Sequence, residues 1–138
     1  MKILVSACLL GRRCKYNGGH NLDEKVAAFL RDKEIIEVCP EELAGLGVPR
    51  VPIEIVDGIL RDQAGNEKDV PVRRAIEKIL ESIRGEDIEC AILKSRSPTC
   101  GPRQVYDGTF SGTLRDGTGV LAQALMDAGI RVVDAEEL

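Results

Sequence analysis

The sequence predicts an α/β fold, a single three-layer domain with a largely parallel sheet, from three observations. Short runs rich in Ile, Val and Leu alternate with amphipathic helical runs, the order expected when helices cover a parallel sheet. The first run, Ile3-Leu4-Val5-Ser6-Ala7, is nearly continuous in apolar residues, as suits a strand buried on both faces. The chain has 138 residues, 43% hydrophobic and 30% charged. A chain of that size hides about two thirds of its unfolded surface around one core, so residues 1–138 are read as one domain.

The elements follow in order. After the first strand, Asn21 is expected to cap a helix over 22–33, with Leu22, Val26, Phe29 and Leu30 on one face. Ile35 to Val38 is a second strand, and Pro40 opens a short helical turn running to Leu46. The stretch from Gly47 to Lys68 is irregular. Asp57-Gly58 and Gly65-Asn66 mark turns there, so Ile59 to Asp62 is read as part of a small hairpin or excursion. Val72, Ala75, Ile76, Ile79, Leu80 and Ile83 share one face of a helix over 71–84 that stops at Gly85. Glu89 to Leu93 is a third strand and Lys94 to Asp116 a long loop. A helix over 119–128 ends at Gly129, and Arg131 to Asp134 is a last strand. Loops as long as 94–116 are usually functional or disordered. Its Gly, Ser and Thr content around Cys100 favours function.

Charge and motifs exclude several classes. A net charge of -4 gives no global cationic field for nucleic acid. Aromatic residues are 3% with no Trp, which argues against a base-stacking platform. Neither a Gly-Lys-Ser/Thr phosphate loop nor a G-x-G-x-x-G turn is present, so ATP and nicotinamide chemistry are unsupported. Gly117-Thr118-Gly119 feeds a helix start and is a candidate phosphate cradle or simply a flexible loop. The start MKILVSACLLGRR is too short to span a bilayer and lacks a cleavage site, so a cytoplasmic protein without membrane contact is expected.

Cysteine is the anomaly: five Cys stand against one His. In a reducing compartment an odd number at irregular spacing argues against a disulfide framework and for metal or thiol chemistry. Cys8 follows the first strand, Cys39 ends the second, and Cys100 lies in the loop after the third. Carboxyl ends of parallel strands share one edge, where ligands bind, so these three thiols are expected to converge. Cys90 lies inside an apolar strand and reads as a core thiol. Cys14 is left open as a fourth ligand, a redox partner of Cys8, or a plain loop thiol. His20, just before Asn21, reads as a capping or surface side chain more readily than as a zinc ligand. No CxxC pair exists, as structural zinc sites often have, whereas an iron–sulfur cluster tolerates dispersed thiolates. With three ligands, one iron keeps an open position that could act as a Lewis acid.

These cysteines sit in segments that resemble the thiouracil and thiouridine desulfidase (TudS) family. The matching segments are Ser6-Ala-Cys-Leu-Leu-Gly11 with Cys14-Lys-Tyr-Asn-Gly18, Val38-Cys-Pro-Glu41, and Pro49-Arg-Val-Pro52. They continue with Ile92-Leu-Lys-Ser-Arg-Ser-Pro-Thr-Cys-Gly101, Tyr106-Asp-Gly-Thr-Phe-Ser-Gly112 and Gly117-Thr-Gly-Val120. The resemblance spans nearly the whole chain. It implies a Rossmann-like domain, a [4Fe-4S] cluster held by Cys8, Cys39 and Cys100, and conversion of a thiolated pyrimidine to its oxo form with release of sulfide. It also implies that an acidic residue and a hydroxyl assist proton transfer, at positions matching Glu41 and Ser97. Asn17 and Thr99 depart from residues common in relatives, Asp and Ser.

Read without the resemblance, Glu41 could simply favour a helix start, and Ser97 could serve only its loop. Arg96 and Arg103, with Lys94, flank Cys100 and are candidate contacts for a ribose phosphate or RNA backbone. Tyr16 joins them as a candidate substrate contact from the tyrosine-containing turn. Expected partners are thus a small thiolated pyrimidine or a thiolated RNA nucleotide, with no stable protein partner. Two other readings remain: a zinc-binding module through Cys8, Cys14, Cys39 and Cys100, or a thiol redox protein pairing Cys8 with Cys14.

Overall fold

The computed structural model describes residues 1–138. Along the chain run β1 (Lys2–Ser6), α1 (Glu24–Leu30), β2 (Glu34–Val38), α2 (Pro40–Leu43), β3 (Ile53–Val56) and β4 (Ile59–Asp62). They are followed by α3 (Asp69–Ile83), β5 (Ile88–Leu93), β6 (Gln104–Tyr106), β7 (Leu114–Asp116), α4 (Val120–Asp127) and β8 (Val132–Asp134). Short 3-10 turns cover Ala7–Leu10 and Ala135–Glu137. The central sheet has the order β2-β1-β5-β8, with every pairing parallel. No helix is long and apolar enough to cross a membrane.

Alternation along the central strands creates three layers. Leu4 of β1 and Ala91 and Leu93 of β5 pack with Val72, Ile76 and Ile79 of α3 and Leu121 and Leu125 of α4. Ile3, Val5, Cys90 and Ile92 point to the opposite face, against Val26 and Leu30 of α1. Period 2 in a strand buried on both sides yields the continuous apolar run seen in β1. Each fully buried Leu or Ile contributes about 2 kcal/mol, so both faces hold the sheet.

Two local expectations are corrected, the cap of α1 and the unstructured loop 94–116, and one in the middle holds. Asp23, not Asn21, caps α1: its Oδ1 accepts the Lys25 and Val26 backbone N–H at 2.9 and 3.2 Å. The Asn21 side chain is directed elsewhere, its Nδ2 donating to Cys8 Sγ at 3.5 Å. The later start leaves Leu22 outside the helix and exposed with Phe29, while Val26 and Leu30 carry the buried face. The small hairpin expected in the irregular middle is present as β3 to β4, closed by Asp57-Gly58 with both residues at positive φ, 50° and 81°. That is the two-residue turn whose twist matches paired strands. The long loop 94–116 carries a hairpin of its own, β6 with β7, anchored by fully buried Val105. Strands of three residues are too short to register as alternation.

The chain leaves β1 toward β2 on one side, and β5 lies on the other. The reversal makes a switch point at the carboxyl edge, where parallel sheets bind ligands.

Candidate functional site

At that edge a cleft of about 580 Å³ is lined by Cys8, Cys39 and Cys100. Glu41, Ser97, Arg96 and Tyr16 line it too, as does Cys14. Cys8 sits in the 3-10 turn after β1, Cys39 directly before α2, and Cys100 in the loop after β5. All five cysteines are unbridged.

Backbone contacts hold the Cys100 loop tightly. Ser97 Oγ accepts the backbone N–H of Thr99 and Cys100, at 3.2 and 3.1 Å. The first amides of α4 donate to the carbonyls of Pro98 and Thr99: Val120 at 3.1 Å and Leu121 at 2.7 Å. These bonds satisfy N–H groups that a helix start otherwise leaves free. A Cβ on Gly119 would lie 2.5 Å from the Thr99 carbonyl carbon, and one on Gly101 2.6 Å from the Gln104 oxygen. Only glycine permits this approach. The supposed phosphate cradle at Gly117-Thr118-Gly119 therefore spends its leading amides on its own chain.

A buried polar chain crosses the cleft. Arg50 is 7% exposed and Glu41 13%, with Nε to Oε1 at 3.1 Å. Arg50 also donates to the carbonyls of Gly47 at 3.0 Å and Cys14 at 2.9 Å, while its backbone N–H donates to Tyr16 at 2.7 Å. One guanidinium thus joins the Cys14–Tyr16 turn to Glu41. The other carboxylate oxygen accepts the Thr99 hydroxyl at 3.2 Å, and Thr99 Oγ1 lies 3.0 Å from Ser97 Oγ. Because Thr99 gives its one proton to Glu41, Ser97 supplies the proton between the two hydroxyls. The order is Ser97 to Thr99 to Glu41. Arg50 and Thr99 were not among the candidate site residues. The signal for Arg50 was a lone cation between Pro49 and Pro52 in an otherwise apolar extended segment.

Burial sets the thiol protonation. It pushes Cys100 up to about 12, opposed first by the Ser6 hydroxyl, which favours the thiolate. Cys8 is also raised by burial, opposed first by the Asn21 amide. Cys14, 1% exposed, is raised by burial and by the neighbouring Cys39. Its sulfur, the Cys39 sulfur and a Glu42 carboxylate oxygen lie within 4.8 Å of one another. So the thiol neighbouring Cys14 on this side is Cys39, and Glu42 is itself gripped by Arg12 through two hydrogen bonds of 3.2 and 2.8 Å.

Other candidates divide. Arg96 lines the cleft but pairs with Glu136. Arg103 does not line it, being drawn to Asp134 at 3.5 Å and Glu137 at 3.4 Å. Lys15 and Lys94 line the cleft without a carboxylate partner. His20 is exposed, and its Nδ1 accepts the Leu22 amide at 3.1 Å, the local role expected of it. Cys90 lies in the core against α1. Of two Tyr and two Phe in the chain, Tyr16, Tyr106 and Phe110 line the cleft. Composition counted the aromatic rings as scarce but could not show that they gather here.

Residues 3–137 match the sequence profile of the family described as 2-thiouracil desulfurase. The chain belongs to the 2-thiouracil desulfurase family. It is similar to the uncharacterized protein YbbK of Bacillus subtilis (strain 168), 37% identical over 146 residues, covering 99% of this chain and 97% of that one. Its fold superposes on the solved structure of the [4Fe-4S]-dependent thiouracil desulfidase TudS with a TM-score of 0.92 and 32% identity. That match covers 99% of this chain and 92% of the other, and it bears out the α/β architecture expected of the family. Nothing in the comparisons supports zinc.

Proposed function

We propose that this family member is a [4Fe-4S]-dependent desulfidase that hydrolyses the C=S group of a thiolated pyrimidine: thiouracil, thiouridine or a thiolated tRNA nucleotide. The observation that carries the proposal is the meeting of three unbridged thiols with a carboxylate–hydroxyl chain in one cleft. The named activity of TudS, a match over nearly all of both chains, supports it.

The donor set fits the cluster. Cys8, Cys39 and Cys100 come from three separate strand ends, with no bridge between them. Asn21 donates to Cys8 sulfur at 3.5 Å and the Ser6 hydroxyl favours the Cys100 thiolate, the form a ligand must adopt. When bound, the cluster supplies an iron without a protein ligand, a soft acceptor for the leaving sulfur.

The reaction balances as C=S plus water to C=O plus hydrogen sulfide, with no net oxidation. Glu41 takes a proton from the attacking water; its two oxygens keep lone pairs beyond those used by Arg50 and Thr99. Arg50 holds the carboxylate in orientation. Ser97 and Thr99 pass a proton along the hydroxyl chain, with Ser97 facing the cleft. Tyr16 and Arg96 are the proposed substrate contacts. Arg103 is held away from the cleft by two carboxylates.

Anaerobic reconstitution followed by incubation with 2-thiouracil, 4-thiouridine or thiolated tRNA should yield sulfide and the oxo product. Activity surviving Cys8→Ser, or stoichiometric zinc in place of iron, would overturn the assignment.

A further inference from the structure

Cys14 has no part in the ligand set proposed above, yet it is buried and its sulfur lies within 4.8 Å of the Cys39 sulfur. The surrounding contacts single out this pair. Cys8 sulfur is engaged by the Asn21 amide at 3.5 Å, and Cys100 sulfur by the Ser6 hydroxyl. Cys39 has no comparable donor. Its own S–H is directed to the Cys14 carbonyl at 3.8 Å, so it lies against the Cys14 backbone. Arg50 also donates to that carbonyl, at 2.9 Å, holding the turn in place.

Access is unequal. Cys39 is half-buried and lines both the main cleft and a second cavity of about 600 Å³ behind β2, shared with Arg12, Glu42 and Lys78. Cys14 is 1% exposed. An approaching reagent meets Cys39 first, and Cys14 is the thiol next to it.

We propose that Cys14 and Cys39 form an oxidisable thiol pair, which closes to an intramolecular disulfide when the cluster is absent. The oxidant class is a small-molecule disulfide of the glutathione type. Cys39 sulfur attacks it, forming a mixed disulfide and releasing one thiol. Cys14 sulfur then attacks the Cys39 sulfur, forming the internal S–S bond and releasing the second thiol. Two protein thiols are oxidised, one small disulfide is reduced to two thiols, and the protein protons leave with them. The link removes one of the three proposed cluster ligands, a consequence that rests on the function proposed above. Cluster uptake then requires prior reduction.

The test uses the full, cluster-free chain, reduced anaerobically and then exposed to oxidised glutathione. Free thiols should fall from five to three, and a non-reducing peptide map should join Cys14 to Cys39. Cys14→Ser should give no internal link and a glutathione adduct on Cys39, whereas Cys90→Ser should still lose two thiols. Five surviving thiols, or a link joining Cys8 to Cys14 or Cys39, would overturn the pair. Iron and sulfide uptake is read separately: oxidised wild type should take up no cluster until a dithiol is added, and reduced Cys14→Ser should load as wild type does. A Cys14–Cys39 link without any cluster uptake by the reduced chain would leave the pair standing and remove the function proposed for the site.

Discussion

Two cysteines on opposite sides of β5 are each 5% exposed, and they occupy different chemical worlds. Cys90 packs with Ile3, Val5, Val26 and Leu30 beneath α1. Cys100 is as deeply buried, but the Thr99 hydroxyl lies 3.7 Å from its sulfur and its loop opens on the cleft with Cys8 and Cys39. Burial alone therefore does not separate a packing thiol from a working one. The neighbours do, because a thiolate needs donors and a route to its ligand.

The largest effect should follow from exchanging the roles of these two. Cys100→Ser should lose the cluster and lower sulfide release by more than about 100-fold, beyond what outer-shell changes around a metal cause. Iron analysis and product assay read it together; retained iron would erase the contrast with Cys90. Glu41→Gln should keep the iron and lower turnover about 100-fold or more, as loss of a general base does. Arg50→Met strands a carboxylate with 13% exposure and should cost about 3 kcal/mol of stability, read from the denaturant midpoint. Arg50→Lys should recover part of it.

Smaller effects sharpen the comparison. Thr99→Val interrupts the hydroxyl chain and should slow turnover about tenfold, with Thr99→Ser near wild type. Cys90→Ala should leave iron content and turnover unchanged and cost about 1 kcal/mol as a small cavity. The mildest effect lies at two carboxylates that do not line the cleft. Hydrogen bonds from the Asn66 side chain and backbone hold the Asp62 carboxyl below its ordinary value, and the Ser95 hydroxyl does the same for Glu136. Their contribution to stability is complete above the ordinary carboxylate value of about 4 and is lost as pH falls through the lower folded values. Asp62→Asn should therefore flatten the acid limb of a stability–pH curve and leave its neutral portion level.

The parallel sheet was legible in the sequence because β1, β2, β5 and α3 are long enough for their periods to register. From that reading the meeting of Cys8, Cys39 and Cys100 followed, since parallel strands deliver their carboxyl ends to one edge. The hairpin from β6 to β7 was not legible, its strands being three residues each. Asn21 looked like a cap because the residue type suits one, yet its amide reaches a sulfur thirteen positions earlier in the chain.

Local pattern by itself determined the layers, the strand ends and the separation of Cys90 from the other thiols. Tertiary structure alone decided that Arg50 grips Glu41, that Thr99 links it to Ser97 across 58 positions of sequence, and that Cys14 lies against Cys39. The physical reason is range. Hydrophobic periodicity is written between neighbours along the chain, whereas a hydrogen bond or a thiol contact acts over a few ångströms in space and leaves no periodic trace in the sequence.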